Sequence, residues 1–364
     1  MTSKKILYVA STSEHLDRFH RDYILALRSE GYAVETLARG SRDYDIPFEK
    51  RIFSLKNLLL IPKIRRIIRR GGYRAIILNT SLASFYTRLA CPKRNRPRTV
   101  NIVHGYLFSE GDLSLKSLIL LTAERLLRHK TDAILTMNAE DTRLAEKFRL
   151  TKGEILEIRG MGAEIRRQIT PPEAIRQEFF KNGAFVLTFV GELSKRKNQR
   201  LLIEALKIIK KDLPEAVLCL VGDGNERENL ERLAASLGLR ESVLFVGKRQ
   251  DACDFIRAAD VYVSAAKIEG LPFNIIEAMG AAKTVVASRI KGHADIIDDG
   301  RDGFLFDAEN AESLANTVLK IHRGEASVSQ KSILKKHAKY EKSAVFSDTF
   351  SAIKSAARLD YDAF

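Results

Sequence analysis

The sequence predicts an α/β protein with two doubly wound parallel sheets, and three observations support this. Its 364 residues are about 2.4 times an ordinary domain of roughly 150 residues, which favours two domains. Hydrophobic residues make up 45% of the chain and charged residues 29%, as in soluble globular proteins with a sizeable core. Short β-branched apolar runs also alternate with helix-patterned segments along the whole chain, which is typical of βαβ units around parallel sheets.

The predicted strands form two sets, one in each half of the chain. The sets cover residues 6–10, 34–38, 75–78, 100–104 and 133–136, and then 185–190, 217–221, 243–246, 261–264, 284–287 and 304–306. Helices are expected between them, for example over 19–30, where Gly31 provides the stop signal. Beyond residue 303 the sequence predicts a helical tail over 309–322 and 341–358 with no further strand.

The boundary between the two halves is expected at 160–172, a stretch of weak periodicity that contains Gly160, Gly162 and the pair Pro171 and Pro172. This predicts a first domain over 1–168, a second over 169–340, and a tail over 341–364 that packs back toward the first domain. Open α/β sheets bind ligands at the carboxyl ends of their strands. Two such sheets facing each other across a cleft would place the site in strand-to-helix loops.

Several classes of protein are disfavoured by the sequence. Cys91, Cys219 and Cys253 are far apart and form no Cys-x-x-Cys pair, so neither a disulfide framework nor a zinc cluster is expected, and a reducing compartment fits. The first residues begin a strand-like run instead of a secretion signal. No window of about 18 consecutive apolar residues predicts a membrane span. We therefore expect a cytoplasmic protein.

The net charge of +15 is concentrated in one segment, because residues 51–100 hold thirteen Lys and Arg and no Asp or Glu. Within it, Ile64, Ile67 and Ile68 fall on one predicted helical stripe flanked by cations. Such a helix can lie on anionic lipid, and an ordinary surface helix with hydrated arginines is the alternative. Nucleic acid is not expected, because no aromatic-interleaved or zinc module accompanies the charge. The cations assigned to the lipid surface are Lys63, Arg65, Arg66, Arg69 and Arg70.

Two glycine-containing turns in the second half follow predicted strands. Residues 191–198 read Gly-Glu-Leu-Ser-Lys-Arg-Lys-Asn, and three consecutive cations entering a helix oppose its dipole, which a bound phosphate would compensate. A solvated basic turn is the alternative. Residues 222–225, Gly-Asp-Gly-Asn, predict a tight backbone approach of the kind found in nucleotide sites, although glycine-rich turns are common.

Two glutamates eight positions apart, Glu269 and Glu277, are the third feature. Glu269 is expected in a loop and Glu277 in the first turn of the helix that follows. Backbone N–H groups of the loop and the helix N-terminus would form an anion cradle. Asn274 and Glu277 also fit a capping box, which would give Glu277 a structural role instead.

In this order and spacing, the three features resemble family 4 of the retaining glycosyltransferases, which have the GT-B architecture. The resemblance covers about 183–322 closely and the first half more loosely. Segments 15–20, 103–106 and 289–297 are most similar to the branch that makes capsules and exopolysaccharides. The resemblance makes the first domain the acceptor domain and the second the donor domain.

The resemblance also implies roles for individual residues. Arg196 and Lys197 would bind the diphosphate of a nucleotide sugar, Glu277 the ribose hydroxyls, and Glu269 the donor sugar, while His104 would lie beside the reacting carbon. No metal and no cofactor are implied. The further residues of the donor site are Gly191, Gly222, Asp223, Gly270, Leu271, Pro272, Phe273 and Asn274, and the acceptor-side candidates are Ser13, His15, His20 and Tyr106.

The implied reaction moves a hexose or N-acetylhexosamine from a UDP-sugar to a polyprenyl-diphosphate-linked or other glycan acceptor at the inner face of the cell membrane. The leaving phosphate would take the acceptor proton in a same-face attack. Two departures stand out: Glu192 replaces an arginine of many relatives, and residues 10–13 replace a glycine pair. A phosphorolytic or epimerising enzyme of this architecture and a non-catalytic nucleotide or RNA binder remain alternatives.

Overall fold

Residues 3–49, 54–112, 114–164 and 168–359 are described by a computed structural model. The chain divides into two compact units: unit 1 is Met1–Gly162 with Val345–Phe364, and unit 2 is Ala163–Ala344. The domain limits derived from the sequence, at 168 and 340, stay a prediction, because compactness does not show which residues fold or bind on their own. Residues 51–53 of the basic segment and 360–364 of the tail lie outside the described residues.

Unit 1 is built on a parallel sheet of seven strands among its described residues, in the order β3-β2-β1-β4-β5-β6-β7. Its central strands are buried on both faces, so they read as unbroken apolar runs. The strands are β1 (Lys5–Thr12), β2 (Ala33–Arg39), β3 (Tyr44–Asp45), β4 (Ala75–Asn79), β5 (Arg98–Val103), β6 (Ala133–Thr136) and β7 (Glu154–Glu157). The helices are α1 (Ser13–Phe19), α2 (Arg21–Ser29), α3 (Leu55–Leu59), α4 (Ile61–Gly71), α5 (Ser81–Ala90), α6 (Leu115–Leu127) and α7 (Ala139–Lys147).

Unit 2 repeats this plan with six parallel strands among its described residues, in the order β10-β9-β8-β11-β12-β13. The strands are β8 (Phe185–Val190), β9 (Ala216–Val221), β10 (Val243–Gly247), β11 (Val261–Ser264), β12 (Thr284–Ser288) and β13 (Phe304–Phe306). The helices are α8 (Pro172–Phe179), α9 (Gln199–Ile209), α10 (Arg227–Ser236), α11 (Ala252–Ala258), α12 (Phe273–Gly280), α13 (His293–Ile296), α14 (Ala311–His322) and α15 (Gln330–His337). The last helix among the described residues is α16 (Lys342–Ala357), which belongs to unit 1 from Val345 onward.

The predicted fold class is confirmed: each unit is a parallel α/β sheet with the doubly wound strand order of Rossmann-like domains. Every predicted strand is present within a residue or two of its expected ends. The sequence missed β3 and β7, which carry polar residues and have no apolar run, and it also missed α15.

The helix expected over 19–30 is wrong at its start. The chain is already helical from Ser13, and it breaks at His20, whose φ of −121° and ψ of −6° end α1 before α2 begins. The break turns the His20 side chain into the interior, where it is fully buried. A helix continuing through this residue would point the imidazole elsewhere.

Helix α4 corrects the expected role of its isoleucines. Ile64 and Ile68 are buried in the core of unit 1, and Ile67 packs partly against the same core. The stripe therefore faces the protein and is closed to lipid, while the cations between 63 and 70 are exposed.

The described part of the C-terminal tail contacts unit 1 at several points. Tyr32 donates to the carbonyl of Leu359 at 2.8 Å, and the Tyr23 ring stacks on Phe346 with centroids 4.7 Å apart. Thr349 donates to the carbonyl of Gly160 at 2.9 Å. Within the described residues, none of the helices has the length and hydropathy needed to cross a bilayer.

Candidate functional site

Three strand-to-helix loops of unit 2 are joined by backbone hydrogen bonds at the carboxyl ends of β8, β9 and β11. The N–H of Gly191 donates to Val221 at 2.9 Å, and the N–H of Leu193 donates to Asp223 at 3.0 Å. The third loop joins through Lys267, whose N–H donates to the carbonyl of Arg196 at 2.9 Å. These hydrogen bonds therefore make one backbone framework of three loops: the basic turn at residues 191–198, the glycine turn at 222–225, and the glutamate loop between β11 and α12.

The glycines of this framework allow approaches that a side chain would block. A Cβ on Gly222 would lie 1.9 Å from the carbonyl oxygen of Gly191, and one on Gly224 would lie 2.1 Å from that of Leu193. Gly222 also has a φ of 141°, which side chains rarely permit. Because residues 222 and 224 have no side chain, the backbone of the glycine turn can lie directly against the backbone of the basic turn.

Glu269 connects two of these loops through an ion-pair cluster. One carboxylate oxygen, Oε1, accepts from Arg196 Nη1 at 2.9 Å and lies 2.6 Å from Lys197 Nζ. Glu269 is 7% exposed and Lys197 9% exposed, whereas the Arg196 side chain is 42% exposed. Two cations share one carboxylate, so the cluster keeps a formal charge of +1.

Burial and neighbouring charges shift the pKa values of Glu269 and Lys197 in opposite directions. Burial by itself would raise the pKa of Glu269, but Lys197 and Arg196 outweigh it and hold that pKa below its usual value. Desolvation lowers the pKa of the Lys197 ammonium, and the attraction of Glu269 offsets only part of this. Glu269 is therefore an ionised carboxylate of weak basicity.

Helix α12 differs locally from the prediction. It begins at Phe273 with Pro272 before it, so Asn274 is inside the helix and the capping-box alternative is wrong. The Asn274 side chain donates to the carbonyl of Val190 at 3.3 Å, which ties α12 to β8. Glu277 is the fifth helical residue, beyond the first turn where it was expected, and it is partly exposed.

The remaining predicted donor-site residues differ in exposure. Gly270, Leu271 and Pro272 are buried, and Phe273 is partly exposed. Asp223 is exposed and its carboxylate accepts from the N–H of Gly224 at 2.8 Å.

Sequence reasoning missed His293, which is fully buried at the start of α13. Its Nδ1 bonds the carbonyl of Ser288 at 2.9 Å, while its Nε2 is buried with no hydrogen-bond partner. Burial lowers its pKa to about 4, although the charge of Glu269 acts in the opposite direction. In the sequence, His293 could have been noticed only because it lies in the segment 289–297. That segment contributed to the family resemblance, but no chemical role was assigned to any of its residues.

Unit 1 brings three of the predicted histidines together. His104 follows β5, and its Nε2 lies 3.2 Å from Nε2 of His20. The rings of His15 and His104 meet edge to face with centroids 4.7 Å apart. Because the two nearest nitrogens share one hydrogen bond, one imidazole donates and the other accepts.

The three histidines are held neutral by their surroundings. Burial lowers the pKa of His15 to about 4 and brings the pKa values of His20 and His104 well below 6.5. One ligand nitrogen from each lies within 4.8 Å of the others, a spacing that a metal ion would also need. Metal-bound imidazoles usually donate their second nitrogen to a partner, and Nδ1 of His20 is buried without one. The donor set therefore fits a metal poorly.

Two acceptor-side candidates are in different surroundings. Tyr106 is buried, stacks on Phe108 with centroids 4.8 Å apart, and its hydroxyl has no hydrogen-bond partner. Ser13 is the partly exposed first residue of α1. Tyr106 acts in packing in this structure, and the histidine cluster is the chemically distinctive group of unit 1.

Comparison with known proteins gives matches to both halves of the chain. A family model described as "Glycosyl transferases group 1" matches residues 172–342, and one described as "Glycosyltransferase Family 4" matches 7–157. The putative glycosyltransferase EpsD of Bacillus subtilis is 28% identical over 334 residues, covering 88% of each chain. A galactosyltransferase of Escherichia coli, named UDP-Gal:alpha-D-GlcNAc-diphosphoundecaprenol alpha-1,3-galactosyltransferase, is 23% identical and covers 82% of this chain and 80% of its own.

Solved structures agree on the fold. Anabaena HepE in complex with UDP and glucose has a TM-score of 0.75 at 21% identity, covering 96% of this chain and 99% of its own. Sucrose-phosphate synthase of Thermosynechococcus elongatus has a TM-score of 0.77 at 18% identity, covering 99% of this chain and all of its own. With family models matching most of both units and the same fold across the whole length, this chain belongs to glycosyltransferase family 4 and is a glycosyltransferase of the GT-B fold.

Proposed function

We propose that the protein transfers a hexose or N-acetylhexosamine from a UDP-sugar to a lipid-linked or other glycan acceptor, with retention of configuration. The observation that carries this proposal is the cluster of Arg196, Lys197 and Glu269 on the glycine framework of unit 2. This cluster, in which Lys197 and Glu269 are buried and Arg196 is exposed, has a formal excess of one positive charge and favours an anionic ligand over a neutral one.

The cations act where charge develops. When the glycosidic bond to the diphosphate breaks, negative charge grows on the leaving phosphate, and fixed cations beside it stabilise that charge. Glu269 holds both cations in position before the donor arrives, so little reorganisation is needed. A nucleoside diphosphate fits this chemistry, with Glu277 as the proposed partner of the ribose hydroxyls.

Retention is proposed without a protein nucleophile in unit 2. Glu269 is the buried carboxylate of the cluster, and two cations make its oxygen a weak nucleophile. Same-face attack, with the leaving phosphate accepting the acceptor proton, needs no such group. His104 is proposed to orient a sugar hydroxyl, because a neutral imidazole can donate or accept a hydrogen bond but supplies no charge.

The acceptor proposal draws on relatives. The Escherichia coli relative is named for a diphosphoundecaprenol-linked acceptor, and a Rhizobium meliloti relative, 35% identical over 136 residues, is named for lipopolysaccharide core biosynthesis. Together with the exposed cations of α4, these names support a role in surface polysaccharide synthesis at the inner face of the cell membrane. The capsule and exopolysaccharide branch is the proposed setting.

The test combines a thermal-shift panel with a transfer assay. At 100 times its dissociation constant, UDP or a UDP-sugar should stabilise the native state by about 2.7 kcal/mol, and UDP release should depend on added acceptor. Sugar phosphate or an epimer formed without acceptor would instead favour the phosphorolytic or epimerising alternative. Salt-sensitive RNA binding with no donor turnover would favour a nucleic-acid binder.

A further inference from the structure

Helix α6 of unit 1 presents an apolar stripe to solvent. Leu115 and Leu126 are each 74% exposed, Leu118 is 45% exposed and Ile119 43% exposed. At 3.6 residues per turn, these four side chains fall within an arc of about 100°. An exposed stripe of this kind marks an interaction surface, whereas scattered exposed leucines do not.

The charges of α6 are arranged around this stripe. Lys116 and Arg125 are exposed, and they project from opposite edges of the stripe by helical spacing. Glu124, the single acid of α6, is on the opposite side, where it pairs with the buried Arg88 at 2.7 Å. The exposed face therefore combines apolar side chains with positive charge and carries no acidic residue of α6.

Neighbouring helices extend the positive charge. Helix α5 packs against both α4 and α6, so the three lie in one layer of unit 1. Helix α4 contributes exposed cations, but its isoleucines are buried. Apolar contact with a lipid surface must therefore come from other elements of unit 1. The short helix α3 exposes Leu55, Leu58 and Leu59, and α6 provides the longer stripe, with exposed apolar side chains from Leu115 to Leu126.

We propose that α6 inserts its apolar stripe into the interface of an anionic lipid bilayer, with Lys116 and Arg125 reaching the headgroups. Leucine side chains would enter the acyl boundary while the two cations meet anionic lipid. The charge of the face favours this occupant over an apolar protein surface. The inference does not rest on the proposed sugar transfer, since it concerns a surface outside the ion-pair cluster.

A single-tryptophan experiment tests insertion directly, because the protein has no tryptophan of its own. Leu118→Trp puts a reporter in the stripe, and Leu25→Trp puts one at an exposed leucine of α2 as the matched control. With phosphatidylglycerol vesicles, the Leu118→Trp emission should shift to the blue and be quenched by brominated acyl chains. The Leu25→Trp emission should do neither.

Vesicle sedimentation supplies the second measurement. The double variant Leu115→Gln with Leu126→Gln should bind phosphatidylglycerol vesicles roughly tenfold or more weakly. The control Leu25→Gln with Leu334→Gln should bind as the parent protein does. An unchanged UDP-induced thermal shift in all variants shows that folding and the donor site are intact.

Three outcomes would overturn the proposal. The first is equal emission changes at positions 118 and 25, and the second is unaltered vesicle binding by the α6 double variant. The third is a homodimer in sedimentation velocity that the α6 double variant dissociates, with no vesicle response, which would assign the stripe to a second copy of this chain. If UDP and UDP-sugars produced no thermal shift but the Leu118→Trp reporter still showed insertion, only the sugar-transfer proposal would be rejected.

Discussion

At the scale of single residues, Glu269 accepts bonds from two cations that the chain supplies from more than seventy positions away. An exposed ion pair contributes little to stability, but Lys197 and Glu269 are both nearly buried. Removing one partner of such a pair leaves the other charged group desolvated and unpaired. The same cluster therefore links folding to the binding of an anionic donor.

Replacing Lys197 tests the role of the buried cation. In Lys197→Ala, transfer should fall on the order of a hundredfold, because one fixed charge no longer stabilises the leaving phosphate. The exposed neighbour Lys195 provides the control Lys195→Ala, which should stay within about threefold of the parent rate. Initial rates at saturating donor measure both, and a Lys197→Ala rate as high as that of the control would remove the assigned role.

The buried histidines predict a pH dependence of stability. Their folded pKa values lie below 6.5, so the unfolded chain binds more protons below that pH, and stability must fall as the pH drops from about 6.5 toward 4. Each such histidine costs about 1.4 kcal/mol per pH unit within this window.

Urea unfolding at pH 7.5 and 5.5 measures the effect. His15→Gln should lessen the loss between these two pH values by about 1 kcal/mol, whereas His129→Gln changes an exposed histidine and should leave it unaltered. A loss of the same size in the parent and in His15→Gln would show that His15 is not held neutral by burial.

At the scale of elements, the loops of unit 2 depend on backbone proximity that only glycine allows. The carbonyl of Leu193 also accepts from the N–H of Glu226 at 3.3 Å, close to where a side chain at residue 224 would fall. A displacement at this point would separate the basic turn from the glycine turn. Backbone hydrogen bonds therefore hold the two turns together at this point.

Gly224→Ala is expected to lower the free energy of unfolding by about 2 kcal/mol and to reduce the thermal shift produced by UDP. Gly238→Ala is the matched control, because the added methyl meets nothing within 4 Å although φ is +73°. The control should be somewhat destabilised through its backbone but keep the full UDP shift. Equal UDP shifts in both variants would contradict the coupling of the loops to donor binding.

At the scale of the whole molecule, the basic excess of the first half is only partly neutralised by folding. Arg88 pairs with Glu124 and Arg98 with Glu154, each at 2.7 Å, and Arg96 pairs with Asp132. These acids come from outside the acid-free segment. Several cations of α4 are exposed instead. The surface of α4 therefore carries part of the excess positive charge of the molecule.

Changing Arg65, Arg66, Arg69 and Arg70 to glutamine should weaken binding to phosphatidylglycerol vesicles and flatten its salt dependence. Each basic residue near an anionic surface contributes about 1 kcal/mol at low salt, and screening reduces this as salt rises. Co-sedimentation at 50 and 300 mM salt measures both effects, with neutral vesicles as the reference. A parent protein that binds neutral and anionic vesicles equally would contradict the electrostatic contribution of α4.

The sequence alone determined the order of strands and helices, the doubly wound fold and the turns that carry the cations, because periodicity, glycine and charge act over a few neighbouring residues. It did not determine which way the α4 isoleucines face, where His20 breaks its helix, or that His15, His20 and His104 meet. Nor did it reveal that Arg196 and Lys197 share Glu269. These features depend on contacts between distant segments, and only the tertiary structure decides which segments meet and which side chains lose water.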